Sequence, residues 1–223
     1  MLNANRFQHV RSLDLGVTSR SSKSEDYLNE QLVILETFAQ RQTLTRLWLS
    51  KMPFSSIEPS QREKFRNTVA ALGSTIHDLG LYECRFPSYA DMIFFIRAFP
   101  YCDSLYIRDC VTANEHPTGD APSGFSKHNL SLNNLELTST SPDQSIIDVS
   151  SLIEDAALDV SQLSALTCDI GSTREARSVA MAISVSPIQH FQLTGTEPGV
   201  FRGVYNTHSP GSFLYTNLSV SYF

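Results

Sequence analysis

The chain has 223 residues, 41% hydrophobic and 10% aromatic, enough for one good-sized core or a short repeat array, so disordered and fibrous classes are excluded. Its 17 Lys and Arg stand against 23 Asp and Glu, divided 13 against 12 up to Val111 and 4 against 11 after it. No basic stripe gathers the cations that a phosphate backbone requires, so no nucleic-acid partner is expected. The longest apolar runs, Met92 to Ile96 and Leu32 to Leu35, fall far short of the roughly 18 residues of a membrane helix, so no membrane partner is expected either. Met1 to Leu15 holds Asn3, Asn5, Arg6, Gln8, His9, Arg11 and Asp14 and has no apolar core of a secretory signal, which points to cytoplasm or nucleus. Four cysteines make no disulfide framework, and the sequons at Asn129 and Asn217 are what chance supplies in a Ser-rich chain.

Self-similarity organises the chain. One hexamer, apolar-x-x-apolar-x-apolar, begins at Val10, Leu44, Ile76, Cys102, Leu132, Leu163, Ile188 and Tyr215, at intervals of 25 to 34 residues. Its middle apolar residues are Leu13, Leu47, Leu79, Leu105, Leu135, Leu166, Phe191 and Leu218, and each hexamer predicts a short strand.

Between the hexamers the spacing turns helical. Leu28, Leu32, Leu35 and Ala39 mark a first helix, Phe65, Val69 and Leu72 a second, and Met92, Phe95, Ile96 and Phe99 a third. Val149, Leu152, Ile153 and Ala156 predict a fourth, and Ala176, Val179, Ala180 and Ile183 a fifth. Capping pairs are read at Ser60 with Glu63, Ser88 with Asp91, Ser145 with Asp148 and Ser172 with Glu175, while Pro100 and Pro187 punctuate two exits. Pro117, Gly119, Pro122 and Gly124 make 113–129 a loop, and Pro198, Gly199, Gly203 and Pro210 do the same for 195–211. Glu154, Asp155 and Asp159, grouped on one predicted helix, read as a solvated outer face.

Alternating strand and helix fits either a doubly wound sheet or a solenoid. A sheet covered on both faces reads as near-continuous apolar runs. Here Asp14, Trp48, Gly80, Tyr106, Glu136 and Gln192 interrupt the apolar pair each time, so one face is open. The expected fold is therefore an α/β solenoid, a single domain over 1–223 of about eight irregular repeats, with a curved parallel sheet on the concave side and helices and loops on the convex side. The chain starts near one repeat strand and stops on another, which predicts truncation at both ends.

Cys84 and Cys110 each stand third after their hexamer, extending the pattern to apolar-x-x-apolar-x-apolar-x-x-Cys. This resembles the leucine-rich repeat, whose Asn or Cys at that position bonds backbone carbonyls at the turn leaving the strand; elsewhere the position holds Met52, Thr140, Gly171 and Thr196. Within that class, the helix exit Arg97-Ala98-Phe99-Pro100, the following Cys102-Asp103-Ser104-Leu105 and the Ser-rich composition are similar to the repeat region of fungal F-box proteins. The resemblance implies the substrate-recognition part of an F-box-like ubiquitin ligase receptor. The helical F-box does not fit before a first repeat strand near Val10, so a ligase adaptor is implied only through an F-box outside this chain.

No Gly-rich phosphate loop, nucleophile elbow, His-Glu-x-x-His helix or Cys-x-x-Cys pair occurs, so the protein is expected to be non-enzymatic and to take no cofactor. His116 and His128 share a segment with Glu115 and Asp120, too loosely spaced for zinc, and no metal site is expected. Cys102 and Cys168 fill apolar slots as small core hydrophobes.

Side chains alternate along a strand, and stacked repeats put equivalent positions in rows about 4.8 Å apart. The central row runs Asp14, Trp48, Gly80, Tyr106, Glu136, Thr167, Gln192, Ser219. Gly16, Ser50, Tyr82, Arg108, Thr138, Asp169, Thr194 and Ser221 lie to one side, and Ser12, Arg46, Asp78, Ser104, Asn134, Ala165, His190 and Asn217 to the other. Trp48 and Tyr106 are predicted two strands apart, roughly 10 Å, with Gly80 as a notch between them and Tyr82, Arg46 and Arg108 around the rim. Trp, Tyr and Arg are the residues enriched at binding hot spots, so these five side chains form the candidate protein-binding site. The expected function is a protein-interaction module that binds a protein or peptide through its concave sheet. A free-standing repeat scaffold without a ubiquitin link and a doubly wound enzyme are the alternatives.

Overall fold

A computed structural model of the chain describes residues 9–16, 24–112, 130–139, 152–153, 158–170, 179, 185–195 and 217–222. The first elements are β1 (Ser12–Gly16), α1 (Ser24–Ala39), β2 (Arg46–Ser50), α2 (Pro59–Gly73), β3 (Asp78–Tyr82), β4 (Arg85–Phe86) and α3 (Tyr89–Arg97). They are followed by β5 (Ser104–Arg108), β6 (Val111–Thr112), β7 (Leu130–Ser131), β8 (Asn134–Thr138), β9 (Leu158–Asp159), β10 (Ala165–Ile170), β11 (His190–Gly195) and β12 (Asn217–Tyr222). The fold is α/β. Eight strands make one parallel sheet in the order β1-β2-β3-β5-β8-β10-β11-β12, which follows the chain without the reversal that marks a doubly wound sheet.

Each of the eight hexamers lies on one of these strands, and their middle residues form one continuous register from Leu13 through Leu47, Leu79, Leu105, Leu135, Leu166 and Phe191 to Leu218. The reason is the period of two: Leu47 and Leu49, Leu79 and Leu81, Leu105 and Ile107, Leu135 and Leu137 all point to one side and are buried. Leu35 and Phe38 of α1, Val69 and Leu72 of α2, and Met92, Phe95 and Ile96 of α3 complete the same core. Each such side chain contributes about 1.5–3 kcal/mol by leaving water. Of the fourth and fifth predicted helices the structure describes Leu152, Ile153 and Val179, all helical, with Leu152 and Val179 buried. The predicted loop 113–129 lies outside the described residues, as do the caps at Ser145 and Ser172 and all of the predicted loop 195–211 except Gly195, which instead ends β11 because its backbone continues the parallel ladder with β10 and β12.

Two backbone devices recur. At six strand entries one carbonyl accepts two successive amides of the next strand: Arg11, Thr45, His77, Asp103, Asn133 and Ser164 all do so at 2.7–3.1 Å. At three strand exits a non-glycine residue turns left-handed, Lys51 (φ 58°), Glu83 (φ 51°) and Asp109 (φ 52°), a conformation that costs about 1–2 kcal/mol. The ladder makes it worthwhile, since those amides donate to Tyr82, Arg108 and Thr138 carbonyls at 2.7, 2.8 and 3.0 Å. The residue after each, Met52, Cys84 and Cys110, is buried. Cys84 Sγ donates to the Leu49 carbonyl at 3.3 Å and Cys110 Sγ to the Leu81 carbonyl at 3.4 Å, each reaching the preceding strand as expected of a turn cysteine. Beyond these turns β4 pairs with β6, and elsewhere β7 pairs with β9.

Local details depart from the sequence reading in two places. Ser60 does not cap α2: Pro59 occupies the first helical turn, so Glu58 becomes the cap, and it makes no side-chain cap bond. Proline's fixed φ and missing amide suit it to that place and move the helix start ahead of Ser60. Asp159 belongs to β9, not to a helix with Glu154 and Asp155, and its Oδ1 accepts from the Ser161 amide at 2.9 Å. That bond, joined by the Ser161 hydroxyl, holds the Asp159 carboxyl below the ordinary range. Ser88 does cap α3, accepting from the Asp91 amide at 3.1 Å and donating its hydroxyl to Asp91 Oδ2 at 2.8 Å.

Two chemical-denaturation measurements follow. Ser88→Ala is expected to cost about 1 kcal/mol, whereas Ser60→Ala stays within about 0.5 kcal/mol. At the end of α2, a Cβ on Gly73 would stand 1.9 Å from the Ala98 carbonyl oxygen, so Gly73→Ala is expected to cost about 1–3 kcal/mol by forcing α2 and α3 apart.

Candidate functional site

The strand side chains that do not enter the core form an open face, and its most apolar part is where β2, β3 and β5 meet. Trp48, Tyr82 and Tyr106 are partly exposed there, whereas the leucines flanking them in sequence are buried. The Trp48 and Tyr82 ring centroids are 5.2 Å apart and tilted by 38°, and those of Trp48 and Tyr106 are 5.9 Å apart and tilted by 43°. The expected separation of roughly 10 Å holds for backbones two strands apart, not for the rings, which lean towards each other.

Gly80 is the reason. A Cβ there would lie 2.9 Å from Tyr82 Cε2, 3.0 Å from Trp48 Cγ and 3.2 Å from Trp48 Cδ1. The predicted notch is therefore filled: Gly80 is a buried floor beneath rings that close over it. The result is one contiguous aromatic surface, whose tilted pairs each add about 0.5–1.5 kcal/mol beyond area burial. Among the described residues the buried Trp48 Nε1 finds no acceptor.

The two predicted arginines are in place, each beside an aspartate. Arg46 Nε donates to Asp78 Oδ2 at 3.1 Å, its second nitrogen lies 3.0 Å from the same oxygen, and its Cζ stands 5.8 Å from the Trp48 ring centroid. Arg108 Nε is 3.7 Å from Asp109 Oδ2. Two residues to which sequence reasoning assigned a row but no role bracket the aromatics: Asp14 is in register with Trp48, and Glu136 with Tyr106. The alternation that placed them in the central row was the available signal.

Polar groups around the triad satisfy one another. Asn134 Nδ2 donates to Ser104 Oγ, which donates to Asp103 Oδ1, both at 2.9 Å. Beyond β8, the Ser139 amide donates to Asp169 Oδ2 at 2.5 Å and its hydroxyl to Asp109 Oδ1 at 3.3 Å. Burial pushes the Asp169 carboxyl above the ordinary range, against the pull of that amide.

All four cysteines are free and buried. Burial pushes the Cys102 thiol up to about 12, and a bond with Cys84 together with burial raises Cys110 further, so both stay protonated at neutral pH. Among the described residues no three His, Cys, Asp or Glu side chains converge as a metal site, and His116, His128, Glu115 and Asp120 lie outside them. On the helical side, Phe54, Phe65, Phe86, Phe94 and Phe95 line a shallow apolar cleft beside Arg66 and Asp91, which are 3.6 Å apart. Among the described residues no helix is long and apolar enough to cross a membrane.

The tyrosine hydroxyls report the electrostatics of the face. Partial burial, then the negative charge of Glu136, raises Tyr82; partial burial, then Asp78, raises Tyr106. Both are therefore expected to ionise above the ordinary value of about 10 in a tyrosinate absorbance titration, and Tyr82→Phe/Tyr106→Phe removes that late component. In the unfolded chain these hydroxyls lose their protons first, so their contribution to stability is full below about pH 10 and is lost as pH rises through the raised values.

Comparison with protein-family models, with curated proteins and with solved structures finds no match to this chain.

Proposed function

We propose that the chain is a non-catalytic protein-interaction module of the leucine-rich-repeat kind, in which a curved parallel sheet binds a protein or peptide on its concave face. The observation that carries this reading is the contiguous, partly exposed triad of Trp48, Tyr82 and Tyr106 on the sheet face opposite the helices. Aromatic surface left in water gains about 25 cal/mol per Å² when a partner covers it, and Trp and Tyr dominate binding hot spots. The repeat assignment draws support from the entry device that recurs at six carbonyls, the left-handed exit that recurs at three residues, and the thiols of Cys84 and Cys110 on carbonyls of the preceding strand. Strand order that follows chain order favours stacked repeats over a doubly wound enzyme sheet.

In the finer form of this reading, the repeats hold a substrate for an F-box-like ubiquitin ligase receptor, and an F-box elsewhere in a longer protein engages the adaptor. The segment from Arg97 to Leu105, which leaves α3 and enters β5, carries that resemblance. Four free, buried cysteines suit a reducing compartment, cytoplasm or nucleus.

Affinity capture from lysate of the source cells, with mass spectrometry, tests the proposal on the chain and on the Trp48→Ala/Tyr106→Ala variant. A partner held by the first and weakened roughly a hundredfold or more in the second is expected. A variant that keeps its denaturation midpoint and still holds every partner overturns the assignment of the site. Recovery of the F-box adaptor favours the ligase role; a triad-dependent partner without it makes the chain a free-standing scaffold.

A further inference from the structure

The central row of the open face has an order of its own. Across five neighbouring strands, β1, β2, β3, β5 and β8, it reads Asp14, Trp48, Gly80, Tyr106, Glu136 in strict register. The aromatic surface is thus bracketed by one carboxylate on each side, about 19 Å apart at about 4.8 Å per strand.

The balance of charge on this face is negative. Among the described side chains of its three rows, Arg46 and Arg108 stand against Asp14, Asp78, Glu136 and Asp169. Both arginines are already answered, Arg46 by Asp78 at 3.0 Å and Arg108 by Asp109 at 3.7 Å. Asp169 is engaged by the Ser139 amide. Asp14 and Glu136 have no ion-pair partner among the described residues. The carboxylates also act on the aromatics: Glu136 and, more weakly, Asp14 disfavour ionisation of Tyr82. An acidic partner would meet like charge on both flanks of the triad.

The rings themselves suit a cation. The π-face of an indole or phenol is its negative side, and the protein already lays one guanidinium near Trp48, with Arg46 Cζ at 5.8 Å from the ring centroid. Lys and Arg side chains bury their aliphatic stems on apolar surface while the charged end stays free to meet a carboxylate.

We infer that the partner is a protein segment bearing Lys or Arg, whose stems lie on Trp48 and Tyr106 and whose charged ends meet Glu136 and Asp14. The inference rests on the protein-binding reading above and names the chemistry of its ligand. An extended segment crossing the strands covers about 19 Å in about six residues. Two basic residues on one side of that segment, with their stems on Trp48 and Tyr106, send their charged ends outwards to Asp14 and Glu136 respectively.

A random peptide library displayed on phage and panned against the full chain tests this without presuming the charge. Selected clones are then compared on the chain, on Trp48→Ala/Tyr106→Ala and on Asp14→Asn/Glu136→Gln. Synthetic copies are titrated by the fluorescence of Trp48, the only tryptophan. Expected are triad-dependent peptides enriched in Lys and Arg, weakened about tenfold or more by Asp14→Asn/Glu136→Gln and progressively weakened by salt. Replacing the peptide's basic residues with Gln is expected to cause the same loss on the unaltered protein, which frees the test from any effect of the variant on folding. Triad-dependent peptides that are neutral or acidic, or that Asp14→Asn/Glu136→Gln leaves untouched, overturn the inference and leave the binding face standing. Selection of peptides that ignore Trp48 and Tyr106, or of none, overturns both.

Discussion

Everything in this structure hangs on one row of buried residues. Leu47, Leu79, Leu105, Leu135, Leu166 and Phe191 sit at the same height on successive parallel strands, each buried, and the first five are each followed two residues later by another buried side chain. A slip of one residue in any strand would turn its leucines outwards and its polar residues into the core, so the row enforces the register and the register writes out the opposite face. The order of side chains that a partner would meet is therefore a consequence of hydrophobic burial. The helices reinforce it: α1 and α2 lie side by side, joined by Lys64 and Glu36 at 2.7 Å, and α3 supplies Met92, Phe95 and Ile96 to the core.

Repetition keeps the backbone satisfied while the chain leaves and re-enters the sheet. One acceptor carbonyl at six entries and one left-handed residue at three exits discharge amides that would otherwise be stranded as the chain passes in and out of the sheet. Lys51, Glu83 and Asp109 take the left-handed conformation without being glycine because the bond to the next strand offsets much of the steric cost. Cys84 and Cys110 stand behind two of these turns, small enough to be enclosed and still able to donate to a carbonyl. Glycine is used instead where mass must be absent: Gly73 admits the end of α3, and Gly80 admits two rings.

On the open face, aromatic area and charge are arranged differently from the surrounding polar groups. Asn134, Ser104 and Asp103 form a closed chain of hydrogen bonds, and Ser139 occupies both Asp109 and Asp169. The flanking carboxylates Asp14 and Glu136 have no ion-pair partner among the described residues, and among those residues the buried Trp48 Nε1–H has no acceptor.

The eight strands, their common register and the membership of all three rows were legible in the sequence, because a period of two with a buried face leaves a readable trace in apolar spacing. So were the three helices through Ala39, Gly73 and Arg97, the Ser88 cap and the turn role of Cys84 and Cys110. The two-residue strands β4, β6, β7 and β9 were not, since two residues carry no period, and for that reason Asp159 was read as helical. The cap of α2 was misplaced because Pro59 sets the helix start through its own ring, overriding the Ser60 signal. Above all, the sequence named Trp48, Tyr82, Tyr106, Arg46 and Arg108 but not their arrangement. Only the tertiary structure decided that the rings converge over Gly80 and that Arg46 is held by Asp78, because side-chain direction depends on the space each neighbouring strand leaves, and spacing along one chain does not contain that.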